Sequence, residues 1–256
     1  MRKPILSNSI QQTLPKEARM HVSHKRPMYS YDNFSQHIPV DIDTSFGHEL
    51  QKSDSPQCKL HDYLRETNSI SLYTDGSKII GSTSVGSAFS CPKHGIAKTY
   101  SINKNAPIYT AECIAIEKAL HYVLSNKSAD NNFLIISDSL SVLIAFKHPK
   151  NTIKTSHYIY SITDKMKKLP TNFSVSFLWV PSHTGITGND IADKLAKKAT
   201  ESLPEIERLP YTDMKGLIKK RINLENYKQI KDLGKYKGIT YFELFHNRKS
   251  KPWFYG

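Results

Sequence analysis

"FLIISD", residues 133–138, is a continuously apolar run closed by an aspartate and followed by Ser139. A strand that is apolar at successive positions has both faces buried. That is the place of a central strand in a parallel or mixed sheet covered by helices on both sides. Upstream, "SISLYTD" (69–75) is β-rich, and "GSTSVGSAFS" with "IAKTYSI" reads as two further short strands around a turn at residues 92–95. "YTAECIAIEKALHYVLS" (109–125) contains no breaker and runs into "NKSADNN", so it reads as a helix with Thr110 as its N-cap. Downstream, "SLSVLIAF" is a short helix and residues 156–168 form a second. "SVSFLWVP" (174–181) is a strand stopped by Pro181. "GNDIADKLAKKAT" is a closing helix with Ile191, Ala192, Leu195, Ala196 and Ala199 along one face. The order β-β-β-α-β-α-α-β-α defines an α/β domain.

The flanks differ from this middle. Residues 1–66 are polar, carry scattered prolines and show no sustained period, which predicts a structure-poor lead-in. The ordered domain spans 67–201. Residues 202–256 form a basic, partly helical C-terminal extension, in which Met214, Leu217, Ile218, Ile222 and Leu224 make an apolar stripe that must pack on something. The 256 residues are 38% hydrophobic and 23% charged, a globular composition with no run long and apolar enough for a membrane span and no secretory leader. Cys58, Cys91 and Cys113 are an odd, scattered set that argues against a disulfide framework and a zinc knuckle and for a reducing compartment. Lys and Arg number 36 against 23 acids, a net charge of +13 concentrated from residue 67 onward. A surface of that sign favours a polyanionic partner, most simply nucleic acid.

Four acids stand where a metal site would want them. Asp75 ends the first strand, Glu112 opens the following helix, Asp138 ends the central strand, and Asp193 lies near the start of the last helix. A parallel pairing of the first and fourth strands would set Asp75 beside Asp138, with Glu112 and Asp193 approaching from helices. Clustered carboxylates repel one another unless protons or cations compensate. Oxygen-only ligands suit magnesium or manganese, and two such ions support phosphodiester cleavage. Each acid also has an ordinary reading as a turn, cap or helix-dipole residue. Glu117, Asp130, Asp164 and Asp190 read as surface charges.

Together, "YTDGSK", "TAECIAI", "ISDSLSVL" and "WVPSHTGITGNDIADKLAKKA" resemble the successive signature blocks of type 1 ribonuclease H. The resemblance covers about residues 70–200. It implies a five-stranded mixed sheet, order 3-2-1-4-5, flanked by helices, and endonucleolytic hydrolysis of the RNA strand of an RNA–DNA hybrid with two Mg2+ ions, for which Mn2+ substitutes. Carried over by position, the metal-binding acids are Asp75, Glu112, Asp138 and Asp193. His183, in the loop "SHTGITGND", matches a histidine that assists proton movement and product release. Ser139 and Asn189 match supporting neighbours of the acids, and Trp179 reads as packing.

Cellular members carry asparagines before the helix glutamate and a glutamine after the third acid, where this chain has residues 106–109 ("APIY") and Leu140. The basic handle helix is also missing. Lys147, Lys150, Lys154, Lys165, Lys167 and Lys168 are the candidate phosphate-facing patch, or a solvated face. These departures make the chain most similar to the ribonuclease H domain of arthropod-type non-LTR retrotransposon polyproteins. That context implies a reverse transcriptase as partner. No YxDD motif is present, so a polyprotein fragment or a stand-alone derivative is expected, monomeric and intracellular, nuclear or cytoplasmic. The alternative is a catalytically weak relic that still binds nucleic acid. An integrase-like or exonuclease reading of the same fold is disfavoured by the "SHTGITGNDIAD" block.

Overall fold

The computed structural model describes residues 40–126, 129–148 and 155–234, together with 238 and 240. The chain divides into two units, residues 23–212 and residues 1–22 with 213–256. In the first unit the order is β1 (Ile42–Asp43), α1 (Ser45–Gln51), α2 (Pro56–Thr67), β2 (Ile70–Ser77), β3 (Ser84–Cys91), β4 (Ile96–Asn103), α3 (Ile108–Ser125), β5 (Asn132–Ser137), α4 (Leu140–Lys147), α5 (His157–Lys167), β6 (Ser174–Trp179) and α6 (Thr187–Ala199). A short 3-10 turn at Pro92–His94 joins β3 to β4.

The strands make one sheet in the order β1-β6-β5-β2-β3-β4. β2 and β3, and β3 and β4, pair antiparallel, whereas β2, β5, β6 and β1 run parallel. The mixed α/β architecture is the one the sequence implies, and the expected five-strand order appears as β4-β3-β2-β5-β6. Among the described residues the sheet has six strands, one more than expected. β1 lies along β6, with Ile42 opposite Phe177 and the Phe177 N–H donating to the Asp41 carbonyl at 2.9 Å. It covers what would otherwise be an open sheet edge.

β5 behaves as its composition requires. Phe133 and Ile135 join Cys113, Ile116 and Leu120 of α3 and Ile159 and Ile162 of α5 in one cluster. Leu134 and Ile136 face the other way, into a cluster with Leu50, Leu60, Leu178, Val180 and Ala192. Successive side chains thus fill two cores, each contributing roughly 1.5–3 kcal/mol by burial.

Several sequence expectations are revised. Residues 1–66 are not uniformly structure-poor. Residues 1–39 lie outside the described residues, but 40–66 supply β1, α1 and most of α2, with Leu50 and Leu60 fully buried. α3 begins one turn early, with Pro107 as its N-cap at φ −70, so Thr110 lies inside the helix and is buried. Ser139 is the N-cap residue of α4, and the Ser156 hydroxyl caps α5 by accepting from the Tyr158 N–H at 3.3 Å. Glu117 is not a surface charge. It is buried on α3, and Lys165 meets it at 2.7 Å while the Ser161 hydroxyl donates at 3.2 Å. Burial opposes its ionisation, but Lys165, Lys118 and Ser161 outweigh that and hold the carboxyl below its usual range. Asp130 pairs with Lys93 at 3.0 Å and with the His94 ring at 2.9 Å.

The stretch after α6 belongs in part to the domain, because the Glu205 and Ile206 N–H groups donate to the Ser101 carbonyl and Asn103 N–H donates to the Ile206 carbonyl. In α7 (Tyr211–Gly234), which from Asp213 belongs to the second unit, Met214 is buried, whereas Leu217, Ile222 and Leu224 of the expected stripe are exposed. No helix among the described residues is long and apolar enough to cross a membrane.

Candidate metal centre

The parallel pairing of β2 with β5 sets Thr74 opposite Ser137, so the next residues, Asp75 and Asp138, stand side by side toward the carboxyl ends of two neighbouring strands. In open α/β sheets that is where ligands bind. Gly76 brings in the third acid. A Cβ at position 76 would sit 2.7 Å from the Glu112 backbone nitrogen, so only glycine lets α3 cross β2 this closely. The result is a cluster in which carboxylate oxygens of Asp75, Glu112 and Asp138 all lie within 4.8 Å of one another. The cluster lines a cleft of about 490 Å³, whose walls also carry Ser139, His183, Asp193, Lys78 and Lys197.

The electrostatics are those of crowded, buried carboxylates. Burial, then the charges of Asp138 and Asp193, push the Asp75 carboxyl up to about 8. Burial, then Asp75 and Asp138, raise Glu112 well above the usual carboxylate range. The Glu112 Oε2 atom is buried without a hydrogen-bond partner among the described residues. A buried acceptor left unmade is costly, and several converging ones make a natural seat for a hard divalent cation. The donor set is oxygen only, which fits magnesium or manganese and not zinc.

The remaining candidates divide. Asp193 lies on the cleft wall in the second turn of α6, not at its start, and Lys197 binds its Oδ2 at 2.6 Å. His183 is exposed at the cleft mouth with φ at 57, a left-handed conformation that is costly for a non-glycine residue and is characteristic of functional loops. Ser139 lines the cleft, but its N–H is spent on the Ser137 hydroxyl. Asn189 is buried with an unpartnered Oδ1 and does not line the cleft.

Of the lysines named as a phosphate-facing patch, Lys147, Lys165, Lys167 and Lys168 are among the described residues, and none of these four lines the cleft. Lys165 is paired with Glu117, Lys168 with Asp164 at 2.6 Å, and Lys147 donates to the Ile42 carbonyl at 3.4 Å. Lys167 lies on α5 among them, and Lys150 and Lys154 lie outside the described residues.

Sequence reasoning missed three contributors. Lys78 stands in the cleft with its ammonium donating to the Ala106 carbonyl at 2.6 Å. Lys197 was detectable as the residue four beyond Asp193 on a helix. Trp179 does pack in the core, but its indole N–H also donates to the Asp138 carbonyl at 3.1 Å. Ile108, Tyr109 and Leu140 also line the cleft walls.

Fold and site together define an α/β protein with a cluster of carboxylates, compatible with a divalent cation, at the carboxyl ends of its parallel strands. Residues 67–201, just over half of the chain, match the model of the RNase H family. The chain belongs to that family. No curated protein matches it.

Proposed function

We propose that the protein is an endonuclease that hydrolyses the RNA strand of RNA–DNA hybrids, and that it derives from a non-LTR retrotransposon. The observation that carries this reading is the convergence of Asp75, Glu112 and Asp138 within 4.8 Å, with one glutamate oxygen buried and unpartnered. Asp75, Glu112 and Asp138 would hold one Mg2+, and Asp193 with Asp75 a second, with Mn2+ able to replace either. Bound there, the ions supply Lewis acidity that polarises the phosphoryl group and makes water a nucleophile near neutral pH.

The chain's own residues do the rest. The four carboxylates orient the scissile phosphate by fixing where the positive charge lies. His183 passes a proton at the cleft mouth and lets product leave as its loop moves. Lys78 and Lys197 attract phosphates into the cleft. Cleavage leaves a 5′-phosphate and a 3′-hydroxyl, and the ribose 2′-hydroxyl distinguishes RNA from DNA. The retrotransposon origin rests on the signature blocks and on Ala106, Pro107, Ile108, Tyr109 and Leu140 standing where cellular enzymes carry amides. That origin makes a reverse transcriptase the protein partner and places a monomer wherever hybrids form inside the cell.

The test is cleavage of an end-labelled RNA–DNA hybrid in magnesium, beside single-stranded and duplex RNA, with Asp138→Asn run in parallel. Cutting of the hybrid alone, lost in the variant, is the expected result. Absence of cutting by a folded wild type that still binds the hybrid would replace this reading with that of a binding relic.

A further inference from the structure

We infer that the segment 40–66, which precedes the family match, is a positioning element of the metal centre, acting through Gln57 on the His183 loop and the Asp193 helix. The inference rests on the proposed function for its kinetic consequence but not for its structural one. α6 begins at Thr187 with Ile186 as its N-cap, and Ile186 offers no side-chain acceptor. The first backbone N–H groups of a helix need partners from elsewhere. Here the Thr187 N–H donates to the Gln57 Oε1 at 2.8 Å, across 130 residues of sequence. Gln57 thus pins the junction between the loop that carries His183 and the helix that carries Asp193.

The anchor behind Gln57 is firm. Leu60, one turn along α2, is fully buried in a cluster with Leu50, Ile186 and Ala192, so α2 and the start of α6 share one core.

A second line of contact leads from the same segment to Asp138. β1 pairs with β6, and Gly47 of α1 is in close contact with the Trp179 backbone carbonyl and ring, leaving no room for a Cβ. The His48 ring lies 4.8 Å from the Trp179 ring. Trp179 in turn donates its indole N–H to the Asp138 carbonyl. One short N-terminal appendage therefore supports two of the four acids, Asp138 through Trp179 and Asp193 through Gln57.

The experiment compares Gln57→Ala and Gln57→Glu with wild type in the full chain. Two measurements are made: amide hydrogen exchange over residues 182–193, and steady-state cleavage of the hybrid. Gln57→Ala should speed exchange in that segment roughly fivefold and leave the rest of the domain unchanged. It should lower kcat roughly threefold to tenfold at constant KM, because the displaced loop acts on the chemical step and not on binding. Gln57→Glu should restore both, since its carboxylate accepts the same hydrogen bond at a helix N-terminus. Wild-type exchange and kcat in Gln57→Ala would overturn the inference, as would a Gln57→Glu variant indistinguishable from Gln57→Ala. If wild type cleaves no hybrid, the proposed function falls, and the exchange comparison alone decides the role of Gln57.

Discussion

Glu112 and Glu117 lie on the same helix and are both buried, yet they are opposites. Glu117 is met by Lys165, Lys118 and Ser161, and its carboxyl is held below the usual range. Glu112 faces Asp75 and Asp138, keeps an unpartnered oxygen and is raised far above that range. The fold supplies the cation for Glu117 and withholds one from Glu112. Burial is therefore no guide to role by itself. A buried acid with its own ammonium is part of the scaffold, whereas buried acids that face only one another are left for a cation from solution. Asp193 is intermediate, close to the cluster but tied to Lys197, itself half-exposed.

The contrast is easiest to break at the metal centre. Asp138→Asn should lower hybrid cleavage on the order of a thousandfold, while raising the thermal midpoint of the metal-free protein, because one repelling charge is gone. Glu117→Gln, assayed alongside, should keep kcat within about twofold of wild type. Equal kinetic losses in the two variants would erase the distinction.

Next in size is the scaffold pair. Lys165→Met removes the nearest partner of Glu117, leaving Lys118 and Ser161, and should cost about 1–3 kcal/mol of stability in urea unfolding at neutral pH. Glu117 is depressed in the folded state, so the stability it contributes exists above the usual carboxylate range and fades as pH falls through its folded value. The deficit of Lys165→Met should shrink accordingly in acid, and a pH-independent deficit would assign the loss to packing.

Asp75 predicts the opposite slope. Its folded carboxyl titrates at about 8 against an ordinary value of 3.8. The folded protein therefore binds a proton that the unfolded chain has released across that interval. Metal-free protein should lose stability as pH rises from about 4 to about 8, and divalent cation should restore it by displacing the proton. Calorimetry with and without Mn2+ over that range measures both slopes, and a flat metal-free profile would remove Asp75 from the cluster.

The smallest effect concerns Lys197. Replacing it with methionine frees Asp193 from an exposed ion pair, and Mn2+ binding followed by titration calorimetry should tighten roughly threefold. Unchanged affinity would mean that Asp193 does not reach the ions.

Much of this was readable along the chain because it depends on neighbours in sequence. The run Phe133–Ile136 announces a strand buried on both faces by its own composition, and α3 and α6 announce themselves by unbroken apolar spacing. Asp75 and Asp138 were readable from their places at strand ends, as were the parallel pairing of β2 with β5 and the resulting approach of the two carboxylates, whereas Asp193 lies further into α6 than its place in the sequence suggests. What the chain order concealed depends on partners far apart. Ile42, Leu50 and Leu60 are single apolar residues in a polar stretch, too sparse to set a period. Only the open edge of β6 and the second core turn them into β1, α1 and α2. Glu117 and Lys165 look like two solvated charges until α3 and α5 pack together and bring the ammonium to 2.7 Å from the carboxylate. Gln57 and Thr187 share nothing in sequence. Propensity and periodicity act over a few residues and so can be read from the chain, whereas a counter-ion or a helix cap from a distant element exists only once burial has closed the loop between them.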